Sequence, residues 1–330
     1  MAVTSAKRER VQAALAGEPV DRPPVSMWRH FYEFEETAEG LSEAMLGFQR
    51  QFDWDFMKVN PRAQYHVEDW DARYRYSGDP HRSPTRTHVP VQSAEDWQQI
   101  MRLDPLKGSL DEHLRALNHI ARGLRGEVPF VMTVFTPLAI AARLVESDQA
   151  MLEHLHEYPK EVHAALQPIT ESFRAYVTEC LNAGVDGIFF ATTSWASHDL
   201  LTDEEYREFG RPYDLRVLEA AREASFNILH VCKDNNMLQS LADYPVHALN
   251  WDTRSDTNPS LEEARQFTSR ALLGGVSGET LLKGQPDTVA REVREAVAQT
   301  EGLRLMVGPN CSIPPGCPQT NLHTVNEALA

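Results

Sequence analysis

The stretch "PPVSMWRHF" (residues 23–31) gives the chain its first extended run and then turns without a single glycine. A doubly wound nucleotide-binding sheet places a glycine-rich, phosphate-cradling turn directly after its first strand. Here "SMWRHF" occupies that place, so the open sheet loses its usual signature. Seven further β-prone runs follow: "DFMKV" (55–59), "PFVMTVF" (129–135), "VDGIFFA" (185–191), "FNILHV" (226–231), "VHALNW" (246–251), "RALLGGV" (270–276) and "LRLMVG" (303–308). Helical patterns alternate with them, which is how parallel βαβ units read in sequence. They comprise the opening "SAKRERVQAALAGE" (5–18), 39–52, "PLAIAARLV" with two more up to about 183, and one long helix "TDEEYREFGRPYDLRVLEAAREA" (202–224). "NMLQSLAD" (236–243) and helices near 259–268, 286–300 and 319–329 complete the set. Residues 60–100 read as irregular or as carrying a short hairpin at "VEDWDARYRYSG". No linker rich in Gly and Ser divides the chain, and no internal repeat is present. The expected fold is α/β, a single (β/α)8 TIM barrel forming one domain over residues 1–330.

Composition narrows the function. A net charge of −16 argues against nucleic acid, which demands clustered Lys and Arg; it weighs less against a polyanionic substrate, since a local basic pocket can override the global field. No apolar run reaches the roughly 18 residues of a membrane span, and the N-terminus lacks a signal-peptide pattern. Four cysteines in 330 residues make no disulfide framework. A cytoplasmic protein with reduced thiols is expected.

Two of those cysteines stand where chemistry gathers in a (β/α)8 barrel, at the C-terminal ends of strands. "LHVCKD" (229–234) puts His230 and Cys232 two residues apart, hence on one side of an extended segment. "GPNCSIPPG" places Cys311 just past the eighth predicted strand. An imidazole and two thiolates suit zinc, and three protein ligands leave a coordination position open, as catalytic sites do. The competing reading makes the cysteines small apolar fillers and the histidine a hydrogen-bonded core residue.

Four segments carry a family resemblance: "KRERVQAALAGEPVDRPPV", "NAGVDGIFFATTSWASHDLLTDEEYREFGRPY", "LLKGQPDTVAREV" and "GPNCSIPPGCPQTNLHTVNEAL". Together they resemble the uroporphyrinogen decarboxylase superfamily over essentially the whole chain. Within it, His-x-Cys after strand five and Cys after strand eight look like the zinc signature of the methylcobamide:thiol methyltransferases. The resemblance implies Zn2+ on His230, Cys232 and Cys311, and a corrinoid as methyl donor or acceptor, carried on a small corrinoid-binding protein. It further implies a small-molecule thiol as the other partner, and a monomer or homodimer. Coenzyme M, homocysteine-like and folate-like partners stay open. The decarboxylase pattern fits less well. Its aspartate after strand two is replaced by Asn60, its histidine near strand eight by Cys311, and its arginine-rich turn is reduced to Arg29. A metal-free decarboxylase or lyase acting on a carboxylated substrate is the alternative, and a corrinoid- or tetrapyrrole-binding protein with a structural zinc is a third possibility.

Further candidates lie along the same rim. Arg29 and Asn60 are candidate substrate contacts, as are Trp195 as a pocket wall and His198 in the loop after the fourth strand. Asp252 after "NW" is a substrate contact, a further ligand or a turn cap; Glu279 in "VSGET" is a candidate further metal ligand or an ordinary first-turn helix acid. Cys317 is read as a bystander and Cys180 as core packing.

Overall fold

A computed structural model describes residues 6–329. Among the described residues nine strands occur in chain order: β1 (Met57–Val59), β2 (Arg73–Arg75), β3 (Thr85–His88), β4 (Phe130–Phe135), β5 (Gly187–Ala191), β6 (Ile228–Val231), β7 (Ala248–Trp251), β8 (Ala271–Val276) and β9 (Leu305–Pro309). β2 and β3 pair antiparallel, but only β2 lies in the stretch expected to form a hairpin; its partner comes from beyond the turn at Gly78. The other seven form one parallel sheet in the order β1-β4-β5-β6-β7-β8-β9. Strand follows strand in sequence order with helices between, the arrangement that curls a sheet toward a barrel.

The first predicted strand shrinks to a single bridge, yet it holds the eighth position of the ring. Val25 bridges Val307 in parallel fashion, Ser26 N donates to Val307 O (3.1 Å) and Val307 N to Pro24 O (2.8 Å). On the other side Asp55 N donates to Val25 O (2.9 Å), just ahead of β1. Pro23 and Pro24 bring no N–H, so this run cannot sustain a longer ladder.

Two corrections concern helices. The long helix expected over 202–224 is two, Asp203–Phe209 and Arg211–Ala220. Pro212 has no N–H and would clash with the preceding turn, so it stands in the first turn of the second helix instead. The amphipathic helix Gly108–Leu124 was not among the expected elements. The opening helix runs Ala6–Ala16, and Ser5, with which it was expected to start, lies outside the described residues.

Side chains alternate about the sheet. The inward set, including Trp28, Phe56, Phe189, Ile228, Leu273 and Met306, fills the ring, joined by Val11 and Ala14 of the opening helix. A larger apolar layer lies between strands and outer helices. Ion pairs fasten the N-terminal end of the ring: Arg10 and Arg22 each reach Asp55 at 2.6 Å, and Arg8 reaches Asp186 at 2.6 Å. Asp55 is fully buried and also accepts Val25 N at 2.9 Å. No helix among the described residues is long and apolar enough to cross a membrane.

Candidate metal centre

At the opposite, C-terminal end of the strands a cavity of about 300 Å³ opens. Alternation along β6 turns Ile228 and His230 inward, and the chain stays extended long enough to deliver Cys232 on the same side. The loop after β9 brings in Cys311 from the other direction, held by Asn310 N to Val276 O (3.2 Å) and Ile313 N to Trp28 O (2.9 Å). One donor atom each from His230, Cys232 and Cys311 falls within 4.8 Å of the others, and the two sulfurs are 3.9 Å apart. Among the described residues this is the group of His, Cys, Asp and Glu side chains arranged to hold an ion.

Asn250 on β7 orients the imidazole. Its Nδ2 donates to Leu273 O (2.8 Å) and Pro309 O (3.1 Å), so its Oδ1 must be the atom facing His230 Nδ1 at 2.6 Å. Nδ1 therefore carries the proton, and Nε2 keeps a lone pair for a metal or a thiol. Donation from Cys232 holds the Cys311 thiol well below its usual range, against the cost of burial, and the Lys58 ammonium adds to the effect. Cys232, retaining the shared proton and buried, is pushed well up. The first proton of the pair thus leaves easily and the second is held.

The other expected residues divide clearly. Asn60 lines the cavity, accepting from Ser312 Oγ (3.1 Å) and from Lys58 Nζ. Arg29 does not reach it: its guanidinium lies over the Phe31 ring and donates to Pro315 O, in a separate groove beside Cys317. Trp195 is buried in the outer apolar layer, and His198 is exposed on its loop; neither lines the cavity. Asp252 accepts Arg254 N (3.0 Å) as a turn cap and Asn310 Nδ2 (2.7 Å), which tethers the loop bearing Cys311. Glu279 is exposed, pairs with Lys283 at 3.1 Å and does not join the donor group. Cys180 is buried, and burial pushes its thiol well up.

Lys58 escaped the sequence reading. It is 4% exposed, beneath the cavity, 4.8 Å from the Phe189 ring centroid and 5.8 Å from that of Trp28. Burial lowers its pKa to about 7, partly countered by Cys311. The signal was a lysine inside a strand buried at every position, two residues before Asn60 and so on the same inward face. Thr193 and Lys233 also line the cavity, with φ of +53° and +74°. A β-branched residue in the left-handed region is strained, and such residues cluster at functional sites.

Known proteins place this architecture. The chain is 22% identical over 342 residues to the methylcobamide:CoM methyltransferase MtbA of Methanosarcina acetivorans, covering 97% of this chain and 96% of the relative. It is 24% identical over 356 residues to the uroporphyrinogen decarboxylase of Coxiella burnetii, covering 98% and 94%. A methyltransferase from Methanosarcina mazei superposes with a TM-score of 0.84 at 23% identity, over 99% of this chain and 98% of that one, and so shares the fold. A B12-independent methionine synthase from a Shewanella species reaches a TM-score of 0.61 at 13% identity, over 93% and 96%. The family model for uroporphyrinogen decarboxylase (URO-D) matches residues 6–330, and the chain belongs to that family.

Proposed function

We propose that the protein is a zinc-dependent methyltransferase, working as one domain over residues 1–330, that moves a methyl group between a corrinoid or similar carrier and a thiol-type acceptor. The observation that carries this reading is the convergence of His230, Cys232 and Cys311 at the cavity, with Asn250 fixing the imidazole. The donor set fits zinc: nitrogen and sulfur donors with no carboxylate suit it and disfavour magnesium or calcium. Three donors leave room for an exogenous fourth. Zinc bound there would act as a Lewis acid that lowers the pKa of an incoming thiol.

The chain's own residues do the rest. Asn250 keeps Nε2 of His230 available, and the easily lost proton of the thiol pair prepares one sulfur as an anionic donor. Trp28, Phe135 and Phe189 give the cavity apolar walls against which a methyl group can rest. With a methyl-corrinoid as donor, the acceptor sulfur would form the carbon–sulfur bond with its lone pair, the electron pair of the broken carbon–cobalt bond would stay with the corrinoid, and the thiol proton would go to solvent. The likeness to a methylcobamide:CoM methyltransferase supports this choice of carrier and acceptor. Docking of a small corrinoid-binding protein over the strand ends, by a monomer or a homodimer, belongs to the same reading.

The test has two parts. Purified protein should hold about one zinc per chain, and Cys311→Ser or His230→Ala should lose most of it, because two ligands rarely retain the ion. Mixed with methylcobalamin and a thiol panel, the protein should bleach the methyl-cobalt absorbance for the right acceptor. Full zinc in Cys311→Ser would overturn the ligand assignment. Chelator-resistant release of CO2 from a carboxylated substrate, with no thiol methylated, would replace the reading with the decarboxylase one.

A further inference from the structure

The three donors do not account for the rest of the cavity lining. Lys58 and Asn60 are 4% and 1% exposed, both line it, and both are left with donors unspent. Asn60 Nδ2 is buried without a hydrogen-bond partner. Lys58 Nζ gives one hydrogen bond, to Asn60 Oδ1, and otherwise faces the rings of Phe189 and Trp28. A buried polar group without a partner is costly, and sites built to bind a complementary group are where such groups persist.

Charge points the same way. The chain carries 48 Asp and Glu against 32 Lys and Arg, yet among the described residues none of those lining this cavity is acidic. Four cations line it: Lys58, Arg62, Arg143 and Lys233. Arg62 is committed to Glu68 and Glu112, while the other three have no carboxylate partner among the described residues. A cleft lined by one sign, against the sign of the whole molecule, concentrates ligands of the opposite sign. At about 300 Å³ it lies at the small end of ligand pockets.

We infer that Lys58 and Asn60 form an oxyanion subsite, which takes the carboxylate or sulfonate tail of a small acceptor whose thiol end reaches His230, Cys232 and Cys311. Lys58 supplies the charge, Asn60 Nδ2 a directional hydrogen bond, and Arg143 and Lys233 at the rim draw the anion in. The thiol half of this statement rests on the methyl-transfer reading. The oxyanion half does not, and it can be tested alone.

The probes are matched in size: 2-mercaptoethanesulfonate, 3-mercaptopropionate, 2-mercaptoethanol and cysteamine, titrated calorimetrically into zinc-loaded protein. The two anionic thiols should bind at least tenfold more tightly than neutral mercaptoethanol, with cationic cysteamine the weakest. Whichever anionic thiol binds more tightly distinguishes sulfonate from carboxylate. In Lys58→Met and in Asn60→Leu that ratio should collapse toward one, and in Arg143→Gln it should fall less. Ethanesulfonate and propionate, which have no thiol, should compete with the anionic thiols in the unmodified protein. Zinc content and a thermal melt on each variant separate loss of the subsite from loss of the fold. Should Lys58→Met fail to fold, the competition by thiol-free anions and its loss at high salt still decide the matter. Equal binding of neutral and anionic thiols, or an unchanged ratio in both Lys58→Met and Asn60→Leu, would overturn the subsite. Tight binding of ethanesulfonate while no thiol binds would keep the oxyanion subsite and remove the thiol-acceptor reading instead.

Discussion

Asp55 and Lys58 are three residues apart on one segment, yet they belong to opposite ends of the ring and to opposite kinds of environment. At the N-terminal end the buried carboxylate of Asp55 meets two guanidiniums and a backbone N–H, so charge and hydrogen bonds are satisfied together. At the C-terminal end the buried ammonium of Lys58 meets one amide oxygen, two aromatic faces and no carboxylate. The first arrangement is what a fold needs to be stable; the second is what a site needs in order to have something left to give a ligand.

The contrast makes unequal demands on mutation. Asp55→Ala leaves Arg22 without a carboxylate and Val25 N without its acceptor, while Arg10 keeps Asp21, and should cost about 3 kcal/mol, whereas Lys58→Met should leave stability unchanged or raise it. Urea unfolding of both variants checks this, and equal losses would erase the distinction between the two ends. Asp214 sharpens it from a third place, between the outer helices. Its carboxyl is fully buried, Oδ2 accepts from Tyr206 (2.8 Å) and Tyr244 (2.9 Å), and Oδ1 has no partner. Burial pushes its pKa up to about 7 despite those two hydroxyls. The folded state therefore holds this proton more tightly than the unfolded chain. Its contribution is fully present below about pH 4 and fades as pH rises to about 7, by up to roughly 4 kcal/mol. Asp214→Asn should flatten that part of the stability curve, read as the variant-minus-native difference in urea midpoint at pH 4.5 and pH 7.5.

Smaller effects test the cavity itself. Asn250→Ala removes the group that fixes the His230 tautomer and should weaken zinc binding about 10- to 100-fold in a chelator competition. Asp252, by contrast, meets the loop carrying Cys311 through Asn310 and caps its own turn at Arg254. Smallest of all, Glu279→Gln should leave zinc content unchanged and stability within about 0.5 kcal/mol, since its partner is an exposed lysine one turn away. A zinc loss there would bring Glu279 back as a ligand.

Local pattern was enough for much of this. Apolar runs of the right length, all but the second followed by a helical period, marked out the eight positions of the ring, and the missing glycine turn after "PPVSMW" set the open sheet aside. Period-two geometry put His230 and Cys232 on one side, because that spacing is a property of any extended chain. It was equally able to put Lys58 beside Asn60, but a single lysine in a short apolar run reads as an edge or an end until burial is known. Where local signals compete, the reading gave way: Gly210 and Pro212 split a helix whose flanks are both helical, and the two prolines at 23–24 reduced a strand to one bridge.

What no local pattern contains is the meeting of distant segments. The 3.9 Å between Cys232 and Cys311 joins positions 79 residues apart, and ring closure through Val25 and Val307 sets which loops share a rim. Arg29 and Glu279 carried plausible chemistry on plausible loops, and only packing turned one to Pro315 and the other to Lys283. The chain's own order determined the strands, the helices and the inward alternation, because those depend on neighbours in sequence. Which side chains converge, and which cations are left without a carboxylate, was decided by tertiary structure alone, because burial and electrostatics depend on neighbours in space.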